Sequence, residues 1–210
     1  MSDHDFLALS LEEFLDRLAS GEATPGGGSA AALTGAVGYA LVSMVARLSL
    51  SKKQYKEYET EFQAILDQAE VARQRLGRLV DDDAQAYAGV RRGFALPKGT
   101  PEEKEIRQQA IQEALKRAAE VPLEVARLAT GLFPLAEALI QRGAASARTD
   151  AQVAFKSGLA AARGALWNVE VNLDSIKDFD YCQTMRSVAI DLDSQVRRAA
   201  ERLAQLTKVE

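Results

Sequence analysis

Apolar side chains recur every three or four residues along most of this chain, which is the spacing of one face of an α-helix. The clearest stripe lies in a charged segment that follows Lys53. It consists of Phe62, Ile65, Ala69, Ala72, Leu76, Leu79, Asp83, Tyr87, Val90 and Phe94. A similar pattern predicts a last helix from about 181 to 206. The chain is therefore expected to form long amphipathic helices, and one carboxylate, Asp83, stands where an apolar residue is expected.

Helix start signals divide the rest of the chain. Ser10 and Glu13 form a capping box, and Gly21 can close the helix that they open. Thr100 and Glu103 form a second capping box, whose helix is predicted to run to about 120.

Two prolines interrupt the segment that follows. Pro122 is predicted to begin or kink a new helix, and Pro134 to bend or restart it before Gly143 ends it. Thr149 is then predicted to cap a helix over about 150–172.

The stretch from Ala30 to Leu50 has one charged residue, Arg47. Its length would allow it to cross a membrane. It is rich in Ala, Gly, Ser and Thr, however, and no second such segment accompanies it. A helix that is apolar on all sides is more often the buried centre of a bundle. We therefore expect no membrane partner.

Composition supports an all-α fold. The chain contains 37 Ala and 25 Leu among 210 residues, and aromatic residues make up 6%. Ala and Leu favour helices, whereas β-branched and aromatic residues favour strands. We predict one helical bundle over 1–210 with long central helices, and a flexible tail over 1–9. Trp167 is expected in its core.

Charge and rare residues exclude several kinds of site. Lys and Arg number 26 against 30 Asp and Glu, a net charge of −4, so no general positive field attracts nucleic acid. His4 is the one histidine and Cys182 the one cysteine. The chain therefore lacks an internal disulfide, a His/Cys zinc site and a Ser-His-Asp triad. The start of the sequence has no basic leader, so we expect a cytoplasmic protein. The scarcity of His and Cys predicts that no metal is bound, and we expect no tightly bound cofactor.

Asp83 is the candidate for acid–base chemistry. A carboxyl group on an apolar stripe has a raised pKa when it is buried, which suits a general acid or base. Asp81 and Asp82 are expected to point to other, solvated faces. The alternative for Asp83 is a structural role, capping or bridging neighbouring helices.

The one glycine run in the chain precedes the apolar helix. It consists of Pro25, Gly26, Gly27, Gly28 and Ser29. Free N–H groups at a helix start favour an anion, and glycine allows a ligand to approach closely. Tight packing between helices would explain the same residues.

A third set of candidate residues is polar and lies on one face of a predicted helix. Asn168 and Asn172 are four residues apart, and Asp150 precedes Asn168 by 18 residues, or five helical turns. Two amides and a carboxylate can read a planar heterocycle through hydrogen bonds. They can equally form a satisfied polar network between helices.

In this order, these residues resemble the formiminotransferase-cyclodeaminase family, specifically its cyclodeaminase domain, from Leu11 to about Asp178. The match opens with Thr-Pro-Gly-Gly-Gly-Ser at 24–29. Further motifs are Ser43-Met44-Val45, Lys53 and Tyr55, Asp83-x-x-Ala86-Tyr87, Leu96-Pro97-Lys98, Thr100-Pro101-Glu102-Glu103-Lys104, Val121-Pro122-Leu123, Arg148-x-Asp150, Asn168-Val169-x-x-Asn172-Leu173 and Ile176-x-Asp178. One departure is Ala144, where the family often has Asn, and this departure bears on substrate choice.

The resemblance implies an all-helical homodimer with a folate pocket at or near the subunit interface, and it places the catalytic aspartate at Asp83. The substrate would be a tetrahydrofolate derivative, with one or several glutamates. We expect the 25–29 turn to cradle part of this ligand and Asp150, Asn168 and Asn172 to hold the pterin or order the pocket. Lys53, beside Lys52, is the candidate for the glutamate tail.

Three functions are compatible with the sequence. The first is formimidoyltetrahydrofolate cyclodeaminase, which closes 5-formimidoyltetrahydrofolate to 5,10-methenyltetrahydrofolate and releases ammonia. The alternative is methenyltetrahydrofolate cyclohydrolase, in which water adds to the methenyl carbon and gives 10-formyltetrahydrofolate. The third is a non-catalytic folate-binding or helical interaction module.

Overall fold

Six α-helices follow one another in the computed structural model, which describes residues 5–207. They are α1 (Leu11–Ala19), α2 (Gly27–Leu50), α3 (Glu59–Ala95), α4 (Pro101–Arg142), α5 (Arg148–Leu173) and α6 (Phe179–Leu206). Short 3-10 helices lie at Phe6–Ala8, Lys53–Tyr58 and Ala145–Ala147. The described residues contain no strand, so the predicted all-α bundle is confirmed.

Helix α2 occupies the centre of the bundle, between α3 and α5, with α4 behind it. Small residues allow this close packing. A Cβ at Gly38 would lie 2.8 Å from a methyl of Leu132, and a Cβ at Gly158 would lie 3.2 Å from that residue's other methyl. Leu132 of α4 therefore fills the space left by a glycine on each neighbouring helix. Helix α6 packs on the outside, against α5 and α4.

Both predicted capping boxes are present. The Ser10 side chain accepts from the Glu13 N–H, Thr100 accepts from the Glu103 N–H, and both glutamates bond back to the cap residue. Gly21 follows α1 with a φ of 83°, which glycine adopts without strain.

The alternatives in which a new helix begins at Pro122 or restarts at Pro134 are wrong. Helix α4 continues from Pro101 to Arg142 through both Pro122 and Pro134. Its apolar face is buried on both sides of each proline, and this packing outweighs the loss of one backbone hydrogen bond per proline. The partner that replaces the bond lost at Pro122 is described below.

Residues 5–9 are more ordered than expected. Asp81 Oδ1 accepts from the N–H groups of Phe6 (2.7 Å) and Leu7 (3.2 Å). The Phe6 ring is 2% exposed and packs edge-on against Phe14. The predicted flexible tail therefore does not extend over residues 5–9. Residues 1–4, including His4, lie outside the described residues.

Helix α2 is long and apolar enough to cross a membrane, and within the described residues it is the one helix with that property. Most of the stretch is buried inside the bundle. Its place between α3 and α5 accounts for its apolar composition, as expected for a core helix.

Candidate active site

Asp83 lies against the first turn of α2. Its Oδ2 is 2.9 Å from the Ser29 hydroxyl, and the side chain of Asp83 is half-buried between α3 and α2. The structure thus joins two features that the sequence had singled out separately. The residue that interrupts the apolar stripe of α3 faces the glycine run.

Gly28 is required by this contact. A Cβ at position 28 would lie 2.2 Å from Asp83 Oδ1 and 2.6 Å from its Cγ. No side chain fits there while the carboxyl group stays in place. Pro25 is buried beside this turn and Gly27 is exposed at its rim. The glycine run therefore lets a carboxyl group from another helix approach the α2 backbone closely.

Burial raises the pKa of Asp83, because the charged form loses solvation. Hydrogen bonds from the hydroxyl and backbone N–H of Ser29 act in the opposite direction and leave the net shift upward. A carboxyl group with a raised pKa that is still partly open to solvent is suited to take up and release a proton.

The Ser29 hydroxyl can serve both protonation states of Asp83. It lies 3.0 Å from the Val80 carbonyl oxygen as well as 2.9 Å from Asp83 Oδ2. When Asp83 is ionised, the single hydroxyl proton can be donated to it. When Asp83 is protonated, Ser29 can donate to Val80 and accept from the Asp83 O–H.

We predict that Ser29→Ala raises the pKa of Asp83 further, because the hydrogen bond that favours the carboxylate is lost. An NMR titration of the aspartate carboxyl carbons measures this shift. Ser157→Ala is a suitable control, since that hydroxyl bonds to Val153 within α5. An unchanged Asp83 titration in Ser29→Ala would show that the Ser29 contact has no electrostatic effect.

Asn168 of α5 completes the near side of the site. A Cβ at Gly27 would lie 3.8 Å from Asn168 Nδ2, so the amide borders the glycine turn. Its Nδ2 donates to the Gly164 carbonyl (2.9 Å), which leaves its oxygen available to a ligand. The glycine turn, Asp83 and Asn168 therefore lie together in one subunit.

Asn172 has a structural partner. Its Nδ2 donates to the Ala118 carbonyl at 2.7 Å. Ala118 lies four residues before Pro122, so this is the carbonyl that loses its helical N–H partner to the proline. The Asn172 amide therefore replaces the missing backbone bond and ties α5 to α4, which corresponds to the ordering role considered for it.

A double-mutant cycle tests whether the Asn172 amide takes the place of the backbone N–H that Pro122 lacks. Asn172→Ala is expected to lower the free energy of unfolding by about 1 kcal/mol or more, because a carbonyl is left unpaired. In a Pro122→Ala background the backbone N–H returns, so the same change should cost clearly less. Chemical denaturation of the four proteins measures both costs, and equal costs would contradict the assignment.

Asp150 and Lys53 lie at the far end of the bundle. Helix α5 places Asp150 about 27 Å from Asn168, at 1.5 Å per residue. Lys53 follows the C-terminus of α2, where the neighbouring Lys52 Nζ bonds to Ser146 Oγ at 3.0 Å. Neither residue reaches Asp83 of the same subunit.

Ala144 belongs to this distant end as well. It is fully buried, and its N–H donates to Ser49 Oγ at 2.8 Å. The position that departs from the family pattern therefore lies away from Asp83 within one subunit.

Three residues are placed differently from the sequence interpretation. Asp81 caps the N-terminal segment and Asp82 Oδ2 pairs with Arg75 at 2.9 Å, so neither is simply solvated. Trp167, expected in the core, is 68% exposed on α5. Its neighbours Leu166 and Val169 take the core positions instead.

The sequence patterns did not indicate Arg91 and Arg92, in the C-terminal turns of α3, as candidate functional residues. Tyr87, Arg91 and Arg92 line a cavity one to two turns beyond Asp83. Exposed charged residues give no periodic signal, although the spacing of four between 83, 87 and 91 would have indicated neighbouring positions. Within 5–207, no cluster of three or more His, Cys, Asp or Glu side chains could hold a metal ion.

Comparison with known proteins identifies the group to which this arrangement belongs. The model of the formiminotransferase-cyclodeaminase family matches residues 10–190. This chain belongs to that family. The methenyltetrahydrofolate cyclohydrolase of Methylorubrum extorquens is 44% identical over 169 residues, which are 80% of this chain and 81% of that protein.

Other members of the family show two sizes. The formimidoyltransferase-cyclodeaminase of Rattus norvegicus is 36% identical over 84% of this chain, which spans only 32% of that protein. A solved structure, the formiminotetrahydrofolate cyclodeaminase of Thermotoga maritima, has a TM-score of 0.84 and 31% identity, and the match covers 95% of this chain and 96% of that one. The fold of this chain is therefore that of the cyclodeaminase part of the family.

Proposed function

We propose that this chain is a folate one-carbon enzyme that acts on the carbon between N5 and N10 of tetrahydrofolate, as a methenyltetrahydrofolate cyclohydrolase. The observation that carries the proposal is the half-buried Asp83 carboxyl group at the glycine turn, held by Ser29 at 2.9 Å. The choice of reaction is supported by the length-matched, 44% identical cyclohydrolase of Methylorubrum extorquens.

A second candidate function is formimidoyltetrahydrofolate cyclodeaminase. It is supported by the full-length match to the Thermotoga maritima cyclodeaminase structure. Both reactions make or break a bond at the same carbon, so one pocket and one carboxyl group serve either. A non-catalytic module is less well supported, because the raised pKa of Asp83 and its contact with Ser29 are suited to proton transfer.

Asp83 would act as base and then as acid in the cyclohydrolase reaction. A water molecule attacks the methenyl carbon and gives up a proton to the Asp83 carboxylate. The bond from that carbon to N5 then breaks, the new hydroxyl loses its proton as the formyl group forms on N10, and N5 takes up a proton. One proton is released in total. Such proton transfer by a positioned side chain contributes about 10²–10⁴-fold.

In the cyclodeaminase reaction the same group would work first as an acid. N10 attacks the formimidoyl carbon and loses its proton, and the formimidoyl nitrogen, once protonated, leaves as ammonia as its bond to that carbon breaks. The raised pKa of Asp83 favours the protonated form that this step requires. The free oxygen of Asn168 and the N–H groups of the glycine turn would hold the pterin.

The two functions are separated by offering each substrate in turn. Loss of the ultraviolet absorbance of methenyltetrahydrofolate marks the cyclohydrolase, which we expect. Formation of that absorbance from 5-formimidoyltetrahydrofolate, with release of ammonia, marks the cyclodeaminase. Tight folate binding without either reaction would contradict both and support a binding module.

A homodimer would complete the site. The exposed face of α2 is apolar, with Val37 49%, Met44 36% and Leu48 39% exposed. With Leu33 this stripe spans 33–48, so two copies that pack antiparallel about its midpoint bring the C-terminal end of one α2, which Lys53 follows, near the first turn of the other α2. Lys53 of the partner subunit then lies over the glycine turn, and Asp150 of the partner subunit comes from the same end. We propose that these residues reach the substrate in this way.

A charge on the α2 face tests this arrangement. Met44→Glu is expected to give a monomer by light scattering, with a loss of turnover of at least tenfold, because the partner's residues are removed. Ile106→Glu is the matched control, since that side chain is 61% exposed on α4, away from α2. A Met44→Glu dimer, or a fully active monomer, would contradict the proposal.

We propose that this activity needs no tightly bound cofactor. The proposed activity uses a tetrahydrofolate derivative as substrate, and its chemistry rests on Asp83 and water alone. We also propose that this enzyme is cytoplasmic.

A further inference from the structure

A cavity of about 310 Å³ lies directly beyond Asp83 along α3. Its walls are formed by Thr24, Tyr87, Ala88, Arg91, Arg92 and Ala95. It exists because α3 continues for three turns past the level of Gly28, where α2 begins. The loop that carries Thr24 covers one side of this extension. The cavity therefore opens next to the proposed reaction centre.

The position of the cations relative to Asp83 is set by the helix. Tyr87 is one turn and Arg91 two turns from Asp83, so the Cα of Arg91 is about 12 Å along the axis. Arg92 follows Arg91 directly and lines the same cavity. Both arginines therefore line the cavity that begins at Tyr87.

These arginines differ from most others on the bundle. Arg75 forms two hydrogen bonds to Glu124 and one to Asp82, and Arg142 pairs with Glu61. Within residues 5–207, Arg91 and Arg92 form no ion pair. Two guanidinium groups without a carboxylate, at the wall of one cavity, are suited to bind a carboxylate from outside through paired N–H groups.

A folate offers carboxylates at a matching distance. From N10 to the α-carboxylate of its glutamate lie a para-substituted benzene ring, an amide and one Cα, about 10 Å by ordinary bond lengths. With the reacting carbon at Asp83, a benzoyl group directed along α3 would pass Tyr87 and bring the glutamate to the arginines. In the opposite direction the ligand meets Gly27 and Asn168, which carry no positive charge.

We propose that Arg91 and Arg92 bind the glutamate carboxylates of the folate substrate and that Tyr87 contacts its benzoyl ring. The inference rests on the proposed function and fixes the direction of the substrate. The pterin then lies at the glycine turn beside Asn168. The glutamate tail is thereby assigned to Arg91 and Arg92, whereas the sequence favoured Lys53. Lys53 of the partner subunit would instead meet the pterin end.

The test compares methenyltetrahydrofolate with methenyltetrahydropteroate, which lacks the glutamate. Wild-type enzyme is expected to lose about 10- to 100-fold in kcat/KM when the glutamate is missing, as for loss of charged hydrogen bonds. The double variant Arg91→Ala/Arg92→Ala should have, with both substrates, the low kcat/KM that wild-type enzyme has with methenyltetrahydropteroate. The loss should come mainly from a higher KM. Arg91→Lys/Arg92→Lys should recover part of the discrimination.

Two controls keep the outcomes distinct. Arg198→Ala removes an exposed, unpaired arginine from α6 and should discriminate as wild type does, and so should Lys53→Ala. If Lys53→Ala alone abolishes discrimination, or if the double variant discriminates as wild type does, the assignment to Arg91 and Arg92 is overturned. Wild-type turnover of methenyltetrahydrofolate is measured first, and its absence would instead overturn the proposed function.

Discussion

Gly28→Ala is expected to lower kcat by about 100-fold while the bundle stays folded. The new methyl group would lie 2.2 Å from Asp83 Oδ1, so the carboxyl group must move by an ångström or more and lose its contact with Ser29. A displacement of that size at a reacting group costs about two orders of magnitude. Steady-state kinetics and the crystal structure of the variant measure both effects.

Gly77→Ala provides a matched control within α3. A Cβ there would lie 3.6 Å from the Leu7 methyl groups, an ordinary contact. Alanine in a helix interior is otherwise favoured over glycine by up to about 1 kcal/mol. The control should therefore keep its activity and gain slightly in stability. Equal kcat values in the two variants would show that the approach of Gly28 to Asp83 is not needed for turnover.

Local signals predicted the helices but not their continuity. The capping boxes at Ser10 and Thr100 fix two helix starts through bonds between residues three apart, which a sequence displays directly. The continuation of α4 through Pro122 depends on Asn172, which is 54 residues away from the carbonyl that it satisfies. Such long-range compensation has no local signature.

The site was predictable where residues broke the helical pattern. Asp83 was evident because it interrupts an apolar stripe, and Gly28 because it belongs to the one glycine run. That the two meet depends on the antiparallel register of α2 and α3, which only the structure shows. Asp150 and Lys53 lie at the far end of one subunit, so their role depends on a partner's arrangement.

Asp83→Asn is expected to have the largest effect of any single change. The amide cannot accept a proton from water or return one to nitrogen, so kcat should fall by about 10²–10⁴-fold. The amide has nearly the shape of the carboxyl group and can accept from the Ser29 hydroxyl. Substrate binding should therefore change little.

The same variant should be at least as stable as wild type at neutral pH. The pKa of Asp83 is raised by burial, so the folded chain binds more protons than the unfolded chain between the unfolded and folded pKa values. Stability contributed by this group is then present below the unfolded pKa and falls as pH rises through the folded pKa. Asparagine removes that loss, so the variant's advantage in Tm should disappear at acidic pH.

Single turnover of bound methenyltetrahydrofolate by Asp83→Asn tests most directly whether Asp83 transfers the proton. The decay of the methenyl absorbance, with enzyme in excess, separates the chemical step from binding. We predict a rate at least 100-fold below wild type, with a dissociation constant within about threefold. A decay rate close to that of wild type at full occupancy would contradict the assignment of Asp83 as the catalytic residue.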